Sequence, residues 1–108
     1  MDLVLATSPF AREVIAVDNT VKTLAAATYN CAAEVDTTKM GKAKVALLTT
    51  ETADIRITFD GTDPVAATTG HLLTPGSSLT VENYETITKI KATREGSTSG
   101  SIQVTYWR

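Results

Sequence analysis

Apolar and polar residues alternate along several short segments of the chain, with the period of a strand that buries one face. In the clearest segment, Ile55, Ile57 and Phe59 are the apolar residues. The intervening Arg56 and Thr58 are therefore expected to face solvent. This pattern predicts a half-buried strand that ends at the turn sequence directly after it.

Similar alternation predicts further short strands, six or seven in all. They cover 12–17, 42–48, a short segment around Leu79 and Val81, 88–93 and 101–106. Turn sequences separate these segments, and no helical segments alternate with them, which favours a sandwich or barrel over a parallel sheet. The sequence thus predicts an all-β fold, a single antiparallel β-sandwich of immunoglobulin-like or jelly-roll-like type over residues 1–108.

The parity of the last two strands predicts which of their side chains reach the core. In the strand 88–93, Ala92 is expected to point inward and Thr93 toward solvent. In the final strand, Ile102, Val104 and Tyr106 share one face. Because that face is uniformly apolar, it is predicted to line the core.

The first predicted strand follows a segment that contains a proline. Pro9 cannot donate to a ladder hydrogen bond, so the segment is expected to be an edge strand or an arm. Residues 1–10 are a candidate interacting arm on this basis. Farther along, Ile15 and Val17 share one face of the strand, and Val14 lies on the other.

Three connecting segments carry weaker patterns. Residues 20–35 combine helical spacing with an alanine run, and both a short helix and an irregular loop or strand are compatible with them. Residues 36–41 are polar and end in glycine, which indicates a loop. Residues 95–100 are rich in glycine and serine and are predicted to form a flexible hairpin connection.

Turn-forming residues cluster after the clearest strand. Asp60 can bond the backbone two residues ahead, and Gly61 accepts a positive φ without steric cost. Pro64 biases Asp63 toward an extended conformation. His71, the sole histidine, is expected to brace the following loop by bonding backbone carbonyls. All five are therefore predicted to be structural turn residues.

Composition narrows the possible partners. The net charge is −2, and the acidic residues around the few lysines argue against a nucleic-acid interface. No window approaches the length of a membrane span, so no membrane partner is expected. Cys31 is the only cysteine, which excludes an intrachain disulfide and suits a reducing cytoplasm.

Candidate chemistry is sparse in this sequence. His71 is the only possible imidazole base, and no nucleophile motif accompanies it. Asp60 and Asp63 could supply oxygens to calcium, but calcium takes six to eight ligands, so turn formation explains them better. Cys31 has no cationic neighbour in sequence and is interpreted as a small buried hydrophobe. We expect no catalytic, cofactor or metal site and a non-enzymatic protein.

Aromatic residues near the two ends are candidate interface residues. Trp107 lies on the face opposite to the core set of its strand, where large aromatic residues often anchor subunit contacts. A side chain folded over the sheet edge is an equally good interpretation. Phe10 and Tyr106 complete the candidate interface set.

A local resemblance concerns one turn and two strands. Residues 57–64, Ile-Thr-Phe-Asp-Gly-Thr-Asp-Pro, together with Ile90-Lys91-Ala92, are similar to the immunoglobulin-like modules at the C-terminus of chitobiases and related glycosidases. This similarity implies a carbohydrate-binding or spacer module. Such modules usually stack exposed aromatic residues on sugar rings, and this chain has few.

A longer resemblance spans about the C-terminal half. The chain resembles small structural proteins of tailed bacteriophages in four motifs that occur in the same order. They are Asp60–Pro64, Gly70-His71-Leu72-Leu73 with Gly76, Ile87–Ala92 and Val104–Arg108. The resemblance implies a virion component, made in the host cytoplasm, that decorates the capsid or forms the base or adaptor of a spike, fibre or tail. Its expected partners are other virion proteins and further copies of itself.

Overall fold

Two four-stranded antiparallel sheets pack face to face in the computed structural model, which describes residues 9–29 and 43–107. The strands are β1 (Pro9–Val17), β2 (Lys22–Thr23), β3 (Val45–Glu51), β4 (Ile55–Thr58), β5 (His71–Leu73), β6 (Ser78–Val81), β7 (Lys91–Arg94) and β8 (Gly100–Trp107), and the helices are α1 (Ala26–Tyr29) and α2 (Tyr84–Lys89). Sheet A has the order β1-β8-β3-β6, and sheet B has the order β2-β7-β4-β5. The predicted all-β sandwich is confirmed.

Strand β8 is central to sheet A and supplies its buried face. Ile102, Val104 and Tyr106 are each at most 1% exposed, as their common parity predicts. Ile102 lies between Ile15 of β1 and Thr50 of β3 in the ladder. The apolar side chains of neighbouring strands therefore meet on one face.

Strand β4 supplies the corresponding buried face of sheet B. Ile55 and Ile57 are fully buried, and Ile57 is paired with Ala92 of β7. Burial of an isoleucine of this kind stabilises the fold by about 1.5–3 kcal/mol. Helix α2 adds Ile87 to the same core.

The outer face of sheet B differs from the prediction, because two threonines expected in solvent are buried. Thr58 and Thr93 are each 6% exposed. The Thr93 hydroxyl donates to the carbonyl of Asp18 over 3.1 Å, and the Thr58 hydroxyl donates to the carbonyl of Thr62. The turn directly after β4 and the segment directly after β1 thus satisfy these two hydroxyls.

The predicted strand 88–93 is wrong in its first half. Helix α2 occupies that stretch, and Asn83 caps it by accepting bonds from the amides of Glu85 (2.8 Å) and Thr86 (3.3 Å). An asparagine cap followed by an acidic first turn favours a helix start. Strand β7 begins only at Lys91.

The predicted hairpin at 95–100 is also wrong. The strand before it, β7, belongs to sheet B, whereas β8 belongs to sheet A and pairs with β1 and β3. The segment crosses between the two sheets. Gly100 fits tightly at the end of this crossing, since a Cβ there would lie 3.0 Å from the carbonyl oxygen of Glu51.

The remaining early segments are partly described. Pro9 begins β1, which lies at the edge of sheet A as its proline predicts. Within 20–35 the chain forms both β2 and the single turn α1. The predicted loop 36–41, Cys31 and the first eight residues of the candidate arm lie outside the described residues. Neither described helix has the length and apolar character of a membrane span.

Candidate functional site

The loop after β4 is built by the turn residues that stand out in the sequence. The Asp60 carboxylate accepts a bond from the Thr62 amide over 3.0 Å, and this bond lowers the pKa of Asp60. Gly61 takes a φ of +87°, which an L side chain would resist. Pro64 is buried, and the exposed Asp63 lies 2.8 Å from the Lys91 ammonium. The loop therefore folds back against sheet B.

A bidentate ion pair between Arg56 and Glu95 holds the part of this loop that contains Ala67 and Gly70. Arg56 donates from Nε and Nη2 to the Glu95 carboxylate over 2.8 and 3.0 Å, and from Nη1 to the Gly70 carbonyl over 3.0 Å. The Ala67 amide donates to the same carboxylate over 2.7 Å. The bonds from Arg56, followed by the one from the Ala67 amide, lower the pKa of Glu95 from 4.5 to about 2. The bond to the Glu95 carboxylate in turn raises the pKa of Arg56.

This network predicts a defined acid response. Because the folded-state pKa of Glu95 is depressed, its contribution is present above the unfolded-state value of 4.5 and is lost as pH falls through about 2. We expect Glu95→Gln to be less stable than the wild type at neutral pH, and the difference to vanish in strong acid. Urea unfolding across this pH range measures it. The exposed Glu82 offers the matched control Glu82→Gln, and equal pH dependence in the two variants would contradict the assignment.

His71 lies beside an open cleft rather than bracing a loop through carbonyls. Its exposed ring packs on Phe59, with ring centroids 5.7 Å apart and planes inclined by 38°. Within 9–29 and 43–107, no hydrogen bond from the imidazole is present, so the predicted bonds to carbonyls are wrong. The cleft has a volume of about 400 Å³ and is lined by Thr58, Phe59, Asp60, Thr62, Thr69, Gly70 and His71. It presents an aromatic wall, one carboxylate and threonine hydroxyls.

The part of the chain that the structure describes groups no three histidine, cysteine, aspartate or glutamate side chains in a way that could hold a metal ion. The two aspartates of the turn, Asp60 and Asp63, have the separate contacts given above: one holds a turn amide, and the other pairs with Lys91. Both sets of contacts shape the loop.

Tyr106 is a core residue, so it leaves the candidate interface set. Its side chain is fully buried, its ring centroid lies 6.1 Å from that of Tyr29, and its hydroxyl donates to Glu13 over 2.5 Å. Burial is the main cause of the raised pKa of its hydroxyl, followed by the bond to Glu13. The alternation along β8 already predicts a core position for Tyr106.

The other two interface candidates lie near one end of sheet A. Trp107 is half-buried at the end of β8, and its ladder partners are Pro9 on one side and Val45 on the other. Phe10 belongs to β1, but its side chain lies outside the described part of the structure. The fold therefore brings the backbones of these two candidates close together.

Four exposed aliphatic side chains mark the margins of the sandwich, and none was selected as a candidate from the sequence. Val14 is 56% exposed on β1, and Val21 is 39% exposed just before β2, which β1 contacts. Val65, in the loop between β4 and β5, is 51% exposed, and Leu72 of β5 is 45% exposed. The sequence did indicate the exposure of Val14, because the alternation in the first predicted strand places it on the face opposite to Ile15.

Comparison of the chain with protein-family models, curated proteins and solved structures returned no match.

Proposed function

We propose that this chain is a non-enzymatic structural component of a tailed bacteriophage particle, located in the virion as a capsid decoration protein or as a base or adaptor of a spike, fibre or tail. The proposal rests on the ordered motifs of the C-terminal half, which resemble those of small phage structural proteins. It assigns the protein a role through contacts with other virion proteins and with further copies of itself.

The observation that carries the proposal is the use of those motif residues as scaffold. Asp60 shapes a turn, Pro64 is buried, and Gly70 supplies the carbonyl that Arg56 binds. Their side chains and backbone hold the loop on sheet B. Val14 lies exposed on the edge strand β1 and Leu72 on the edge strand β5, where strand edges can contact neighbouring proteins.

Weak individual contacts are sufficient for a structural role in a virion, because a symmetric lattice repeats them many times. A subunit held at several points in a symmetric lattice gains avidity without any single strong interface.

The test is the composition of purified particles. Quantitative mass spectrometry of gradient-purified virions should detect this chain at a fixed ratio to the major capsid protein. Its absence from particles that contain all other structural proteins would contradict the proposal.

A carbohydrate-binding or spacer module is the second candidate, and the cleft beside Phe59 is the observation that favours it. The Phe59 ring can stack on a sugar ring, and the neighbouring Asp60 carboxylate can accept hydrogen bonds from the sugar hydroxyls. Under this alternative, polysaccharide affinity gels should retard the wild type but not Phe59→Ala. Equal mobility of both proteins on all gels would remove the alternative.

A further inference from the structure

The four edge strands of the sandwich differ greatly in length. In sheet B the edges are β2, with 2 residues, and β5, with 3; in sheet A they are β6, with 4, and β1, with 9. Short edges limit unwanted pairing because they offer few free backbone groups. Among the described edge strands, only β1 is long enough to pair along its length with a strand of another chain.

Strand β1 is also regular where pairing would occur. From Ala11 to Val17 it pairs with β8 residue by residue, and the one irregularity lies before Ala11. Within residues 9–29 and 43–107, no further strand pairs with its other edge. Val14, at the middle of this run, is the most exposed large hydrophobic side chain described. A regularly paired edge strand with an exposed central valine favours strand addition.

We propose that β1 pairs antiparallel with β1 of a second copy, about a two-fold axis at Val14, so that the A sheets of both copies become continuous. This inference rests on the proposed function, because it names the homotypic partner that a virion subunit would use. The two-fold operation places the solvent-facing Val14 side chains opposite each other.

The charges on β1 suit this register and a second copy as the occupant. With the axis at Val14, Arg12 faces Ala16 of the partner subunit, and Glu13 faces Ile15 of the partner subunit. An axis at Arg12 or at Glu13 would instead set like charges directly opposite each other, which is destabilising. With the axis at Val14, neither charged side chain meets a like charge, so the strand can pair with its own copy.

The predicted dimer is weak and depends on concentration. Pairing of a single strand buries less area than a standard stable interface, although Val21 lies on the same margin and can add to the contact. A lattice would supply the remaining affinity through neighbouring contacts.

Light scattering on the purified full chain tests the inference independently of any particle. The mass of the wild type should rise from one chain toward two as concentration increases. Val14→Lys should raise the dimer dissociation constant at least about tenfold, because two ammonium groups would face each other. Leu72→Lys, on the opposite margin, is the matched control and should leave it unchanged. A wild type that stays monomeric, or equal effects of both variants, would overturn the inference.

Disulfide trapping tests the register directly. In a Cys31→Ser background, Val14→Cys should crosslink into dimers on mild oxidation, since directly opposite residues lie within disulfide reach. Leu72→Cys should remain monomeric under the same conditions. Crosslinking that is equal in the two variants, or stronger for Leu72→Cys, would overturn the proposed register. Presence or absence of the chain in virions bears only on the proposed function, so the two failures are distinguishable.

Discussion

Replacement of Tyr106 by alanine is expected to lower the free energy of unfolding by about 3–5 kcal/mol, because it removes a fully buried aromatic ring from the core. The ring contacts Tyr29, and its hydroxyl bonds Glu13 of the edge strand β1. Tyr106→Phe keeps the ring and should cost about 1–2 kcal/mol for the lost hydrogen bond. Chemical denaturation of both variants measures these values.

The neighbouring Thr105 provides the control for Tyr106. It is half-exposed on the opposite face of β8, so Thr105→Ala should change stability by about 0.5 kcal/mol or less. A core role predicts a large loss of stability for Tyr106→Ala, whereas an interface role predicts altered association of a stable monomer. Equal stability of the two alanine variants would contradict the core assignment.

Replacement of Gly70 by alanine is the second large expected loss, about 2–4 kcal/mol of unfolding free energy. Gly70 has a φ of +109°, and a Cβ there would lie 3.0 Å from the backbone oxygen of Ile57 and 3.3 Å from Thr58 Cγ2. The new methyl group would push the loop away from β4. The Arg56 bond to the Gly70 carbonyl should weaken as a consequence.

Gly61 is the matched control for this close approach. Its φ is +87°, but a Cβ there would meet nothing within 4 Å. Gly61→Ala therefore carries only the backbone cost, about 1–2 kcal/mol. Denaturation curves for the two variants should separate clearly, and a Gly61→Ala loss as large as that of Gly70→Ala would show that packing against β4 is unimportant.

Local periodicity was enough to predict the sandwich and the inward residues of its central strands. Ile55, Ile57 and Ile102 alternate cleanly, and each occupies the core position that its parity predicts. The burial of Thr58 and Thr93 was not predictable from that pattern, because the partners of their hydroxyls lie in the turn after β4 and in the segment after β1. Periodicity describes one strand and carries no information on what folds over it.

In the loop after β4, too, contacts between neighbouring residues could be predicted from the sequence, and contacts between distant residues could not. The turn at Asp60 and Gly61 could be predicted, since an Asx bond and a positive φ involve only adjacent residues. The ion pair between Arg56 and Glu95 joins residues 39 positions apart and has no local signature. The exposure of Val14 was visible as alternation, but its position on a long edge strand required the order of the described strands in sheet A.

A density map of the assembled particle tests the structural role most directly. The proposal predicts density for a pair of four-stranded sheets at symmetry-related positions on the shell or tail, into which the side chains of this sequence fit. A fully assigned particle map in which every density belongs to other proteins would contradict it.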